Sequence, residues 1–260
     1  MKFIIVTQGD ILYTPIFFRE FFAADYAGTC KGVMVQEPLG NKSMWGLIKR
    51  MLAFYGPLDF MRQGFTYVYK KLRAKGYEWN LIREPVSIEN MARHHNVPVL
   101  SFTSVNNGEF KQWVRDQEID LIVSIAASEL FDEEVLELPT HGCINFHNAP
   151  LPHYRGMLPN FWQMHHGEEF SVLTVHTMTE ALDKGEIVYQ QKTPIKSGYS
   201  LEDLIRLTKK KSAGALVEVL RQFHEKEVSY APMPDEEGSY YTFPGRSDVR
   251  EFKSKGKRLF

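Results

Sequence analysis

Apolar and polar positions alternate between two periods along this chain. Lys2 to Thr7 is a short run of β-formers, Gln8-Gly9-Asp10 punctuates it, and Tyr13 to Ala24 then carries apolar residues at helical spacing. Gly32 to Gln36 reads as a second strand, which completes a βαβ unit. Further on, Ile88 to His95 is helical in its spacing, Val97 to Phe102 reads as a strand, Asn107 to Gln117 as a helix, and Leu121 to Ser124 as a fully buried strand. Glu129 to Glu137 predicts a short acidic helix and Gly142 to His147 another strand. Val172 to Thr177 alternates before a turn at Asp183-Lys184-Gly185 and a last strand, Glu186 to Gln191. This order predicts an α/β fold: a Rossmann-like, mostly parallel twisted sheet flanked by helices.

Two segments stand outside that rhythm. Residues 43–76 are rich in aromatic and basic side chains and broken by Gly56-Pro57 and Gly64, which predicts a helical insertion of two or three amphipathic helices. Trp45, Phe54, Phe60, Phe65, Tyr67 and their Lys and Arg neighbours would suit a membrane surface. A packed insertion or a homodimer contact accounts for them as well, and no membrane partner is expected. Beyond the core domain, taken as 1–195, the residues 196–260 predict a small C-terminal extension: a strongly periodic helix from Leu201 to Glu225, then a tail that runs through Tyr240-Tyr241-Thr242-Phe243-Pro244 to a basic end.

Composition narrows the function classes. With 43% hydrophobic and 24% charged residues the chain can bury a core and is not disordered along its length. A formal charge of -1 supplies no global field toward DNA, RNA or an acidic membrane. Cys30 and Cys143 cannot build a disulfide framework or a four-thiolate zinc site within one subunit, which fits a reducing cytoplasm and packing roles. Gln8 and Asp10 cut the first apolar run short of a signal peptide, and no stretch of roughly 18 apolar residues predicts a transmembrane helix.

Several familiar chemistries are absent. Gln8-Gly9-Asp10 lacks the three-glycine spacing of a dinucleotide site, and no phosphate-cradling GxxxxGK[ST] occurs. Nine histidines invite a metal, but the adjacent pairs His94-His95 and His165-His166 diverge by about 100° on a helix, and there is no HExxH, so no metal site is expected. The segment around Cys143 to Gly156 differs in kind. On a strand ending at His147, the two-residue period sends Asn145 and His147 to one face, at the carboxyl end where open parallel sheets bind ligands. An amide beside an imidazole suits a reaction in which oxyanion charge develops. Asp183, in the turn before the last strand, can reach back to charge the imidazole, or can serve simply as a turn residue.

Asn145-Phe146-His147, Leu151-Pro152-His153-Tyr154-Arg155-Gly156, Pro159, Trp162 and Leu182-Asp183-Lys184-Gly185-Glu186-Ile187, in that order, resemble the 10-formyltetrahydrofolate-dependent formyltransferase family. The likeness spans about residues 80–195. It implies that Asn145, His147 and Asp183 are catalytic, with Asp183 favouring a protonated imidazole. It implies also that the loop with Ile125, Ala126, Ala127, Ser128 and Leu130 holds the pterin, and that His153, Tyr154, Arg155 and Gly156 lie on the acceptor side. The donor would be N10-formyltetrahydrofolate, with no metal. Two departures stand out: Ser124 to Ser128 replaces a Tyr-Gly pair, and His153 stands where Arg or Lys is frequent. The acceptor implied is a small-molecule amine, best a nucleotide-linked amino sugar, with Tyr240, Tyr241 or Phe243 stacking on its base. Members that act on tRNA carry a C-terminal barrel larger than residues 196–260 can form, and glycinamide ribonucleotide enzymes have a glycine-rich loop that Gln8-Gly9-Asp10 does not reproduce. A methionyl-tRNA formyltransferase-like enzyme and a formyltetrahydrofolate hydrolase, whose relatives usually carry an extra N-terminal module, are the alternatives.

Overall fold

A computed structural model describes residues 1–260 except 25–27, 38–43, 182 and 235–236. Leu182 of the turn motif and the start of the insertion at Ser43 therefore lie outside the described residues. The elements run β1 (Phe3–Gln8), α1 (Thr14–Phe22), β2 (Cys30–Gln36), α2 (Met44–Tyr55), α3 (Pro57–Glu78), α4 (Ile88–His94), β3 (Val99–Leu100), α5 (Gly108–Asp116) and β4 (Leu121–Ile125). They continue with α6 (Glu133–Glu137), β5 (Cys143–His147), β6 (Arg155–Gly156), α7 (Pro159–His166), β7 (Phe170–Thr177), β8 (Ile187–Pro194), α8 (Leu201–Glu225), β9 (Tyr240–Tyr241) and α9 (Arg246–Ser254).

The large sheet has the order β3-β2-β1-β4-β5-β7-β8. Its first five strands are parallel, as the alternation of elements predicts, while β7 and β8 run antiparallel to close one edge. Period-two alternation feeds a core on each face. Phe3 and Ile5 of β1 point toward α1, α4 and α8, and Ile4 and Val6 point toward α5 and α6. Four phenylalanines of α1, Phe17, Phe18, Phe21 and Phe22, are all buried on the first of these faces, where Phe17 and Phe21 stack with centroids 5.9 Å apart.

Several sequence expectations shift. β3 is shorter than Val97 to Phe102, and α6 begins at Glu133, because Asp132 caps it by accepting the Val135 N–H at 2.9 Å. The chain breaks at Gly56, whose φ of 79° favours glycine, and restarts with Pro57 in the first turn of α3. Gly64 breaks nothing, so the insertion is two helices among the described residues. Helix α8, expected in an extension beyond 195, packs on α1 and contributes Ala213, Leu216, Val219, Leu220 and Phe223 to the same core as the sheet. The tail returns to the body: β9 pairs with β6, and Phe252 of α9 stacks on Phe161 of α7 at 4.7 Å. A third core thus joins α2, α7, the start of α8 and α9.

The loop between β7 and β8 is closed at its base by two reciprocal bonds, Thr177 N–H to the Glu186 carbonyl and Glu186 N–H to Thr177 Oγ1, each 2.9 Å. Gly185 lies inside that clamp, where a Cβ would meet the Thr177 carbonyl oxygen at 1.7 Å. Gly185→Ala must push the loop off its base, at an expected cost of about 2–3 kcal/mol. Urea unfolding monitored by circular dichroism checks this, with a lower midpoint at unchanged slope as the expected result.

Candidate active site

Side chains from three neighbouring strands, β4, β5 and the antiparallel β7, converge toward the carboxyl edge of the parallel strands. On β5, Ile144 and Phe146 enter one core, which turns Asn145 and His147 to the other face. Ser124 of β4 sits in register beside Asn145 and donates its hydroxyl to Asn145 Oδ1 at 3.0 Å. This fixes the amide so that Nδ2 faces away from β4. His176 of β7 lies directly across from Asn145, with its Nε2 3.2 Å from Asn145 Nδ2. Asp183, only 7% exposed, brings Oδ1 to 3.5 Å from Asn145 Nδ2 and 3.4 Å from His176 Nε2. An amide, a carboxylate and an imidazole therefore meet at one point, but the imidazole in direct contact with Asp183 is His176.

His147 is held differently. Its Nε2 donates to the Tyr154 carbonyl at 3.0 Å, which leaves Nδ1 as the unprotonated nitrogen of the neutral ring. Burial lowers its pKa below the ordinary value, outweighing the pull of the Asp183 charge in the other direction. Of the two opposing influences on this ring, burial is the larger and the Asp183 charge, which favours the protonated form, the smaller. For Asp183, burial raises the carboxyl pKa, but the His176 contact and the nearby His147 and Arg155 together hold it below its ordinary value. His176 Nδ1 donates to the Thr177 carbonyl at 2.8 Å. Its Nε2 can then accept from Asn145 when bare or donate to Asp183 when protonated, and not both at once.

Ser124, Asn145, His147 and Asp183 lie on the wall of a cavity of about 670 Å³, a size typical of small-molecule sites. The loop Ile125, Ala126, Ala127, Ser128 and Leu130, expected to hold the pterin, lines the same cavity. It is pinned from behind. Glu129 accepts the Ser104 hydroxyl at 2.6 Å, the Val105 N–H at 2.8 Å and the Gln36 amide, while Gln36 Oε1 accepts the Ser128 N–H at 2.8 Å. Ser128 Oγ and Asn148 Oδ1, both from residues on the cavity wall, are buried without a hydrogen-bond partner among the described residues, a cost that a polar heterocyclic ligand can relieve. The cavity thus fits a folate-like donor. Lys209 of α8 lines the cavity too, with Asp10, Tyr13, Tyr55 and Glu202. Its ammonium makes no hydrogen bond or ion pair among the described residues, and burial lowers its pKa against the opposing pull of Asp10.

The residues expected on the acceptor side are mostly elsewhere. Only Gly156 lines the cavity, and its φ of 96° and the Tyr241 carbonyl, 2.2 Å from where a Cβ would stand, explain the glycine. Tyr154 adopts a φ of 57°, stacks on Tyr241 at 5.5 Å and donates its hydroxyl to Glu168 at 2.5 Å, so its backbone rather than its ring serves the site. Arg155 donates Nε to the Pro152 carbonyl at 3.0 Å, and neither it nor His153 is on the cavity wall. Tyr241 is engaged by Trp162 at 4.7 Å, whereas Tyr240 and Phe243 line the cavity. Sequence reasoning missed His176 and the loop-pinning role of Glu129. His176 alone carried a usable signal, as a polar residue on the same face of its alternating strand as Val172 and Thr174.

The sequence profile described as Formyl transferase matches residues 71–220. Methionyl-tRNA formyltransferase of Kosmotoga olearia is 30% identical over 68% of this chain and 57% of its own length, and that of Syntrophus aciditrophicus is 32% identical over 65% and 53%. The chain spans little more than half the length of these curated relatives. Among solved structures, WlaRD, a sugar 3N-formyl transferase, matches with a TM-score of 0.57 at 14% identity, covering 93% of this chain and 69% of its own. Glycinamide ribonucleotide transformylase 1 of Symbiobacterium toebii matches with a TM-score of 0.59 at 14% identity, over 90% and 94%. At that identity they share the fold. Together with the profile match across more than half of its residues, this assigns the chain to the formyl transferase family.

Proposed function

We propose that this protein transfers the formyl group of N10-formyltetrahydrofolate to the primary amine of a nucleotide-linked amino sugar. The observation that carries the reaction is the meeting of Asn145, His147 and Asp183 in one cavity with the pinned loop at 125–130. A new C–N bond forms between the acceptor amine and the formyl carbon, the bond from that carbon to N10 of the donor breaks, and one proton passes from the amine to N10. Asn145 donates Nδ2 to the formyl oxygen as negative charge develops there. His147, neutral with Nδ1 unprotonated, accepts the amine's proton and returns it to the departing nitrogen. Asp183, kept ionised, stabilises the imidazolium while it exists.

For the acceptor, two features support a nucleotide sugar. Lys209 offers a buried ammonium without a hydrogen-bond or ion-pair partner among the described residues, which a phosphate could supply, and Tyr240 and Phe243 present aromatic surface to the same cavity. The tail after α8 folds back as part of that wall, through Leu259 and Phe260. A second reading, an aminoacyl-tRNA acceptor, draws on the names of the curated relatives. Incubation with the donor and a panel of bare amino sugars, nucleotide-linked amino sugars and charged tRNA, read by mass, separates the two. Formylation of charged tRNA in preference to every sugar would replace the sugar reading.

Asn145→Ala, His147→Ala and Asp183→Ala are each expected to lower kcat by about two to three powers of ten without unfolding the chain, as loss of one oxyanion donor does elsewhere. Product mass against time, with circular dichroism of each variant, checks this. Because His147 must be neutral and burial lowers its pKa, kcat should stay level through neutrality and fall only below pH 6.5, the imidazole's ordinary value. A rate that climbs on acidification would show that the protonated ring is the working form. Lys209→Met should raise KM for the nucleotide-linked acceptor by about tenfold to a hundredfold, with kcat and the KM for the donor little changed.

A further inference from the structure

Helix α3 is amphipathic the wrong way round. Its inward positions are Gln63 and Ala74, together with Lys70, whose ammonium donates to the carbonyls of Ile11 and Leu12 at 3.1 and 2.8 Å. Its large apolar side chains face solvent: Leu58 (84% exposed), Met61, Phe65 (71%), Val68, Tyr69 and Leu72 (65%). At a helical repeat these six fall within about 100° of arc, one continuous stripe along a helix of roughly 33 Å. Trp45 (73%) on α2 and Trp79 (65%), which caps α3, are exposed as well. A water-soluble surface rarely leaves so much contiguous apolar area uncovered without a partner.

Charge decides which partner. Within residues 44–81 stand Lys49, Arg50, Arg62, Lys70, Lys71, Arg73 and Lys75 against Asp59 and Glu78, in a chain whose overall formal charge is -1. Around the helix, Arg62 and Arg73 border one edge of the stripe and Lys71 and Lys75 the other. Arg73 is offset in part by Glu84 at 3.0 Å, and Arg62 lies over the Phe260 ring; Lys71 sits over Tyr67. If two copies paired through this stripe, basic margins would face basic margins in either orientation, which repels. An anionic lipid surface satisfies both the stripe and its margins. Trp and Tyr are the residues that favour the interfacial layer of a bilayer, and no described helix is long and apolar enough to cross one.

We propose that the α2–α3 hairpin lies in the headgroup layer of an anionic bilayer, with the Leu58 to Leu72 stripe seated toward the acyl chains and Lys71 and Lys75 on the headgroups. This reverses the expectation that no membrane takes part, and it does not depend on which acceptor the cavity takes.

The test is flotation of the full chain with vesicles of phosphatidylcholine alone and of phosphatidylcholine mixed with phosphatidylglycerol, beside sedimentation velocity of the free protein. The expected result is recovery with the anionic vesicles, little with the neutral ones, and loss of binding as salt rises. Phe65→Ser combined with Leu72→Ser, and separately Lys71→Glu combined with Lys75→Glu, should each weaken vesicle binding by about tenfold or more, with unchanged circular dichroism. None of these residues lines the cavity, so formyl transfer to a soluble acceptor should survive in both variants, and loss of binding is read apart from loss of activity. The proposal is overturned if the wild-type chain does not float with anionic vesicles, or if it floats and the variants float equally. It is also overturned if the free chain sediments as a dimer that the Phe65 and Leu72 substitutions dissociate.

Discussion

A carboxylate withdrawn from water must be given donors or opposite charge, or it takes up a proton and its field is lost. Asp183 is nearly fully buried at the edge of the sheet, and what keeps it charged is the contact with His176, backed by His147 and Arg155. The rest of the site follows from that requirement. His176 must stand across from Asn145, so β7 must pair with β5 antiparallel and in this register. Asn145 must turn its amide nitrogen toward the pair, which Ser124 enforces from the strand on the other side. The antiparallel edge is thus the means by which a parallel sheet delivers a charge to the end of β5.

The same constraint separates the two histidines. His176 touches Asp183 and is held at its other nitrogen by the Thr177 carbonyl, while His147 is held by the Tyr154 carbonyl and stays neutral. One ring anchors the carboxylate and the other can exchange a proton with a ligand in the cavity.

Much of the layout was legible in the residue order. The parallel strands, the two polar positions on one face of β5 and the break at Gly56-Pro57 all rest on local periodicity and glycine or proline chemistry, which act within a few residues. The face His176 occupies could be read from its strand's alternation, but its role could not, because its partners lie 31 and 7 residues away along the chain and only strand pairing brings them together. Tyr154 misled for a different reason: the motif marks it, but a left-handed backbone turns its carbonyl to His147 and its ring to Tyr241. The 43–76 segment showed its amphipathy and hid its orientation. Helical spacing gives a stripe without saying which side of the helix the body will cover, and here the body covers the side of Gln63 and Ala74.

The groups proposed to do the chemistry and the walls around them belong to different cores. Ser124, Asn145 and His176 sit on β4, β5 and β7, whose neighbours Val123, Ile144 and Val175 share the core of the central sheet. Phe54, Leu201, Leu259 and the partly buried Phe243 and Phe260 line the cavity from the third core, which joins α2, the start of α8 and the tail. Residues in separate packed clusters respond nearly independently to substitution. Changes in α2 or the tail can therefore reshape the far end of the cavity while leaving the Asn145, His176 and Asp183 contacts in place. The two cores meet at Tyr154, a third-core residue whose carbonyl holds His147, so on the proposed reading acceptor selectivity and the Asn145–His176–Asp183 contacts can vary separately while the hold on His147 is shared.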